Sequence, residues 1–391
     1  YFSIPFYVGN LDSVFEKHQK WQTLLPRVTP FYAVKCNNNL AVLRTKVSMV
    51  MSIGVTPDKI IYAHTTKPQS HIRYACAQGV DMMTFDNEEE LLKITRGHPN
   101  AKLLLRIAVD DSKSQVKLST KFGATLGTVG SLLKRAHELD LDVKGVSFHV
   151  GSLCTDSVAY RRAIEEVHHV FEQALDLLDI GGGFSGHELE MMSKGINEAL
   201  DEFFPADSGV RVIAEPGRYF VDSAFTLALN VFAKKKVWNM FMSADGNGLD
   251  TMIMYYVTDG LYGAFGDIKL YPDIKPFSTE PRYQSVIWGP TCDSADRIMD
   301  VWMPELNIGD WILVDNFGAY TIPMSTDFNG FEKPTIYLVV TPQIWKMNKV
   351  QERRNTACTQ THNVPVCDLT LHIISDTFST SYFDFDFDLP R

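Results

Sequence analysis

Apolar positions along this chain switch between two periods. Residues 2–8 form a short run of strand type. Over 10–25, Leu11, Val14, Phe15, His18, Trp21 and Leu25 recur every three to four positions, which predicts an amphipathic helix. A second apolar run at 31–34 ends at Lys35. Further strand-type runs follow at 60–63, 82–85, 103–107, 146–150, 177–180 and 210–214, with helical stretches between them at 69–78, 87–97, 130–139, 157–173 and 188–203. Asp86 or Asn87 is placed to cap the helix that opens on Glu88, Glu89 and Glu90, whose carboxylates suit the positive end of the helix dipole. Such alternation predicts parallel strands with helical crossovers, an α/β barrel. Seven strands are counted, one short of a closed (β/α)8 barrel.

Beyond about residue 221 the texture changes. A strand-rich apolar run covers 221–234. Turn signals at Asp245-Gly246-Asn247-Gly248, Asp259-Gly260, Gly289-Pro290 and Gly309-Asp310 then separate strand-type runs at 252–257, 286–288, 311–315 and 335–340. This predicts a C-terminal all-β domain. Residues 351–391 have no useful periodicity, end in alternating Phe and Asp, and are expected to form a mobile tail. The expected organisation is an N-terminal strand and helix over 1–26 associated with the β domain, the barrel over 27–222, the β domain over 223–350, and the tail.

Composition narrows the function classes. The 391 residues are 45% hydrophobic and 12% aromatic, enough for a large core. A net charge of −10 without a long basic block argues against nucleic acid or an anionic membrane as partner. No apolar run has the length of a membrane-spanning helix. Six cysteines, at 36, 76, 154, 292, 358 and 367, lack CxxC or metal-ligand spacing and read as reduced thiols of a cytoplasmic protein. The chain starts at Tyr1 rather than Met, so a preceding segment is left open.

The candidate chemistry sits at strand ends. Lys35 is either a solvated lysine or a desolvated amine able to form a Schiff base. Gly181-Gly182-Gly183 follows an apolar strand, where glycines let backbone N–H groups approach an anion; a tight strand-to-helix turn is the plainer reading. Glu215-Pro216-Gly217-Arg218 ends the last barrel strand, offering a carboxylate for a protonated ring nitrogen and a guanidinium for phosphate, or else a local ion pair. His149 could cover the face of an aromatic cofactor, with Ser152 donating to its phosphate, or be structural. Cys292-Asp293 places a thiol beside a carboxylate in a turn, a proton donor if it reaches a cleft and a small buried residue otherwise. Together these are the parts of a pyridoxal-phosphate site, in which the cofactor is the electron sink and the protein orients it.

The blocks FYAVKCN, KFGATL, GVSFHVGS, LLDIGGGF, AEPGRY, SAFTLA, WGPTCD, IGDW, GAYT and FNGF, spread over residues 5–345, resemble the eukaryotic ornithine decarboxylases, group IV enzymes of the alanine-racemase-like fold. Antizyme inhibitors are similar throughout. The resemblance implies that Lys35 binds pyridoxal 5'-phosphate covalently, that Arg106 and His149 lie around its ring, and that Glu215 holds the ring nitrogen. Ser152, Gly181, Gly182, Gly183, Pro216, Gly217, Arg218 and Tyr320 would surround the phosphate. Cys292 would return a proton to the substrate carbon, and Asp293 would meet its distal amine, with Tyr271, Asp273 and Phe328 as further substrate contacts. Lys121 and Asp296 match a pair that spans a subunit interface, so a homodimer with shared sites is implied. Ornithine as substrate, putrescine as product and antizyme as partner follow from the same resemblance. Non-catalytic antizyme binding through residues 73–98, or an inactive product of the same locus, are the rival functions.

The chain departs from the family in one informative place. Where the family carries a strand of Phe-Asp-Cys-Ala-Ser type, Arg44-Thr45 runs straight into Lys46-Val47-Ser48. A shorter gap precedes Leu177. The barrel is therefore expected to lack one strand.

Overall fold

The computed structural model describes residues 4–46, 55–156, 158–170, 176–186, 188–239, 250–266, 274–275, 281–342 and 371–373. Seven parallel strands form one sheet in the order Val28–Pro30, Arg211–Ala214, Leu177–Asp179, Asp142–Ser147, Lys102–Arg106, Met82–Phe85 and Ile61–Tyr62. The helices Gln69–Ala77, Glu88–Gly97, Leu126–Glu138, Ala159–Val170 and Leu189–Phe203 connect them as crossovers. Among the described residues the two end strands pair with nothing on their free sides, so the sheet is an open half-barrel. Among the described residues no strand stands between these two edges, where one was expected to be missing; residues 47–54, which join them in sequence, lie outside those described.

Burial on both faces explains the continuous apolar strands. Leu103, Leu104 and Leu105 are each fully buried, and each such side chain contributes about 1.5–3 kcal/mol. Inside the curve, Phe31, Met82, Leu104, Leu177 and Ile213 form a separate buried cluster with Ile61 against it. Most other buried apolar side chains form the main core, which continues from under the helices into the second sheet.

Polar groups pin the helices. Asn87, not Asp86, caps Glu88–Gly97: its Oδ1 accepts from Glu90 N–H at 3.0 Å. Glu90 itself is buried, with Lys67 Nζ at 2.8 Å and Lys93 Nζ at 2.6 Å. The Lys67 amine also donates to the carbonyls of Thr84 at 2.6 Å and His64 at 3.0 Å.

The position of the first barrel strand corrects the sequence reading. The ladder covers Val28–Pro30, not 31–34, and Lys35 sits in a 3-10 turn, Val34–Cys36. Phe31 N–H makes the last bond of this ladder, to Ala214 O at 2.7 Å. Ala33 N–H then turns to Pro216 O at 3.1 Å, which moves the chain onto the loop that carries Glu215.

The second sheet is all-β and nine-stranded. Phe6–Asn10 lies in it between Phe225–Asn239, antiparallel, and Thr335–Val340, parallel. Asp250–Val257, Arg282–Trp288 and Trp311–Val314 match expected strands, while Arg297–Pro304 and Ile274–Lys275 were not foreseen. Within the stretch expected to be a mobile tail, Leu371–Ile373 is a strand parallel to Thr335–Val340. Its other residues lie outside those described.

Candidate active site

The C-terminal ends of the parallel strands converge on one cleft. Arg106 ends one strand, His149 follows the next, the three glycines follow Leu177–Asp179, and Glu215 follows Arg211–Ala214. Lys35 enters from the turn beyond Pro30. The cleft, about 370 Å³ with its open mouth, is lined by Lys35, His149, Ser152, Gly182, Gly183, Glu215, Gly217, Arg218 and Tyr320. Arg106, Gly181 and Pro216 are not among the lining residues.

Lys35 is exposed, which corrects the alternative of a deeply desolvated amine. The sheet is open on that side. Cys36 beside it is buried, and burial pushes its thiol up to about 12, so it is no nucleophile at neutral pH.

His149 is neutral. Burial pushes its pKa well below the usual histidine range, and the positive charges of Arg106 and Lys35 act in the same direction. Gly151 N–H donates to Nδ1 at 3.0 Å, which leaves the ring proton on Nε2.

The glycines are required by close backbone approach. A Cβ on Gly181 (φ +66°) would lie 2.1 Å from Phe148 O, and one on Gly183 (φ +113°) 2.6 Å from Gly151 O. Beside them Arg218 is buried, its guanidinium 5.2 Å from the Tyr320 ring centre, and its Nε and Nη2 have no acceptor among the described residues. Two buried, cationic donors without partners in a cleft wall suit an anion.

One buried carboxylate at the cleft escaped the sequence reading. Asp179 is fully buried behind the glycines, in hydrogen-bonding contact with the Glu215 carboxyl and close to Arg106. Its signal was a carboxylate inside an otherwise apolar strand, since aspartate is almost never fully buried unless partnered.

Cys292 and Asp293 do not reach this cleft within the chain; both are exposed in the loop after Arg282–Trp288. The Tyr262 hydroxyl donates to Asp293 Oδ2, and the Tyr262 ring packs 4.4 Å from that of Phe328. Ala295 N–H, chiefly, and Tyr262 hold the Asp293 carboxyl below its usual range. Tyr262, Thr291, Asp296 and Phe328 line a second cleft of about 320 Å³. Asp296 is buried and accepts from Leu261 N–H at 2.8 Å and Thr291 Oγ1 at 2.7 Å. Exposed Lys121 lies over Phe122, and no ion pair joins it to Asp296 within the chain. Tyr271 and Asp273 lie outside the described residues. Among those described, no helix is long and apolar enough to cross a membrane, and no group of three or more His, Cys, Asp or Glu could hold a metal ion.

Residues 11–222 match the family described as the pyridoxal binding domain of pyridoxal-dependent decarboxylases. The ornithine decarboxylase of Rattus norvegicus is 48% identical over 379 residues, covering 88% of this chain and 82% of that protein. Antizyme inhibitor 2 of Xenopus laevis is 47% identical over 381 residues, covering 89% and 84%. The crystal structure of the Paramecium bursaria Chlorella virus arginine decarboxylase superposes with a TM-score of 0.78 at 38% identity, covering 86% of this chain and 96% of that one. Pyridoxal phosphate is the cofactor of the family, and this cleft fits it: the unpartnered Arg218 donors and the crowded glycine backbone suit its phosphate, Glu215 its ring nitrogen, and the Lys35 amine its aldehyde.

Proposed function

The chain belongs to the pyridoxal-dependent decarboxylases, and we propose that it converts L-ornithine to putrescine, the first step of polyamine biosynthesis. The observation that carries this reading is the meeting of Lys35, His149, Glu215 and Arg218 in one cleft. When bound there, pyridoxal phosphate would supply an electron sink for the pair left on the substrate carbon as CO2 departs. The protein's own groups do the rest. Arg218, Ser152, Tyr320 and the backbone of Gly181, Gly182, Gly183 and Gly217 hold the phosphate. His149, neutral, covers the ring without adding charge. Glu215 places a carboxylate at the ring nitrogen.

The remaining parts come from a second copy of the chain. Cys292 of one protomer delivers a proton to the substrate carbon in the cleft of the other, and Asp293 receives the distal amine, with Tyr271, Asp273 and Phe328 shaping that end. Lys121 meets Asp296 across the interface. Exposure of Cys292 and Asp293 away from the cleft of their own chain supports this arrangement. The protein works in the cytoplasm as a homodimer.

Release of CO2 from carboxyl-labelled ornithine, arginine and lysine by purified protein tests the reading. Preference for ornithine supports it; preference for another amino acid keeps the chemistry and changes the substrate. A second reading, a non-catalytic antizyme-binding homologue using residues 73–98, is favoured by the open half-barrel beside Lys35. Antizyme binding without CO2 release from any of the three would establish it.

A further inference from the structure

Asp179 ends the Leu177–Asp179 strand with no exposed surface. Its Oδ1 accepts from Gly181 N–H at 2.9 Å. Its Oδ2 is buried and has no donor among the described residues. The Glu215 carboxyl hydrogen-bonds with it from beyond the end of Arg211–Ala214, and Arg106 acts on it from the end of Lys102–Arg106. Arg106 and Lys35 in turn act on neutral His149. Asp86 and Asp111 act on Arg106 rather than on Asp179. A buried acceptor left without a donor is costly, and two carboxylates in contact cannot both accept from each other. One proton between them resolves both problems.

We propose that Asp179 and Glu215 share a single proton in the cofactor-free protein, and that Glu215 passes it to the ring nitrogen when pyridoxal phosphate enters. This rests on the reading that Glu215 faces that nitrogen. The balance is simple: the Asp179 O–H bond breaks as its proton passes through Glu215, an N–H bond forms, and no electrons change hands. Before transfer, the pair carries one negative charge opposite Arg106. Afterwards two carboxylates face Arg106 and a cationic ring nitrogen, so the site stays neutral throughout. Asp179 is thus a positioning residue: it holds the shared proton against Glu215 until a base arrives. Burial, and then the Glu215 charge, push its carboxyl well above the usual carboxylate range, against the pull of Gly181 N–H and Arg106.

The test begins with protein freed of cofactor. Near neutral pH its infrared spectrum should contain the C=O band of a protonated carboxyl, shifted in D2O. Asp179→Asn keeps the volume, an acceptor for Gly181 N–H and a donor for Glu215, and should lose the band; Glu215→Gln should lose it too. Stability against pH gives a second readout. The folded pair keeps a proton that unfolded carboxyls release above about pH 4, so its stabilisation is complete below that pH and is lost as pH rises through the folded pKa. Asp179→Asn should flatten that fall. Loading wild-type protein with pyridoxal phosphate should abolish the band. Absence of the band without cofactor, or its survival in both variants, overturns the shared proton; persistence after loading overturns the transfer. Failure to take up pyridoxal phosphate while the band behaves as stated overturns the reading of the cleft and leaves the pair intact.

Discussion

At the scale of single residues, the cleft is built from groups whose partners are missing or whose charge is suppressed. Arg218 is the clearest case, because its Nε and Nη2 are buried without acceptors. Charge-assisted hydrogen bonds contribute about 1.5–3 kcal/mol each, so loss of even one of the two in Arg218→Ala should weaken pyridoxal phosphate binding by at least about 10- to 100-fold, read by fluorescence titration. Unchanged affinity would place the phosphate elsewhere. His149 gives a pH prediction. Its folded pKa lies below that of the unfolded chain, so its contribution is present above about pH 6.5 and lost as pH falls, by about 1.4 kcal/mol per pH unit. Denaturation of His149→Phe across that range should show a shallower acid slope than wild type. Lys35, His149, Glu215 and Arg218 were legible in the sequence because each stands at the end of an apolar run, where a polar side chain is conspicuous. Asp179 was not singled out because a lone acid before three glycines looks like part of the turn; only its full burial and its contact with Glu215 show otherwise.

At the scale of elements, strand and helix alternation was readable because both faces of the sheet are buried. The end of the first strand was not, since apolar residues 31–34 continue past the ladder, whose last bond is from Phe31 N–H. Arg297–Pro304 was missed because polar Arg297 and Asp300 and exposed Trp302 interrupt its pattern. Two predictions belong here. Glu90 and Lys67 are both buried, so Glu90→Ala leaves a buried ammonium without its carboxylate and should cost about 3–5 kcal/mol in chemical denaturation. A loss below about 1 kcal/mol would mean that the carbonyls of Thr84 and His64 suffice for Lys67. The half-barrel opening is the second. The edges beside it are short, Val28–Pro30 and Ile61–Tyr62, which limits pairing with other chains. Yet they flank the turn that places Lys35, and misplacement by about 1 Å can cost about 100-fold in rate. Inserting a family-like strand between Thr45 and Lys46 should raise the melting temperature by about 5 °C or more and increase turnover. A parent chain that melts as high and turns over ornithine as fast would show that the opening is harmless.

At the scale of the whole molecule, the separation of two clefts decides what one chain can do alone. The half-barrel cleft gathers the groups that hold a cofactor. The β-sheet domain gathers Tyr262, Thr291, Asp296 and Phe328 in another, with Cys292 and Asp293 exposed on the loop beside it. The loop is already rigid: Asp296 accepts from Thr291 N–H at 3.0 Å and from Leu261 N–H at 2.8 Å, so folding it back toward its own cofactor cleft would break buried hydrogen bonds. In the proposed dimer a second copy would supply the thiol and carboxylate with no such change, and two-fold symmetry would make the exchange reciprocal. Lys35→Ala and Cys292→Ala chains should therefore each be nearly inactive alone and complement when mixed. In a heterodimer one cleft combines both lesions and the other has neither. With equal amounts and free exchange, half the dimers are heterodimers, so activity should recover to about one quarter of wild type. Mixing should be followed by native mass spectrometry to show that subunits have exchanged. Recovery near one quarter supports a shared site; no recovery in a mixture shown to contain heterodimers means that Cys292 acts in its own chain or not at all.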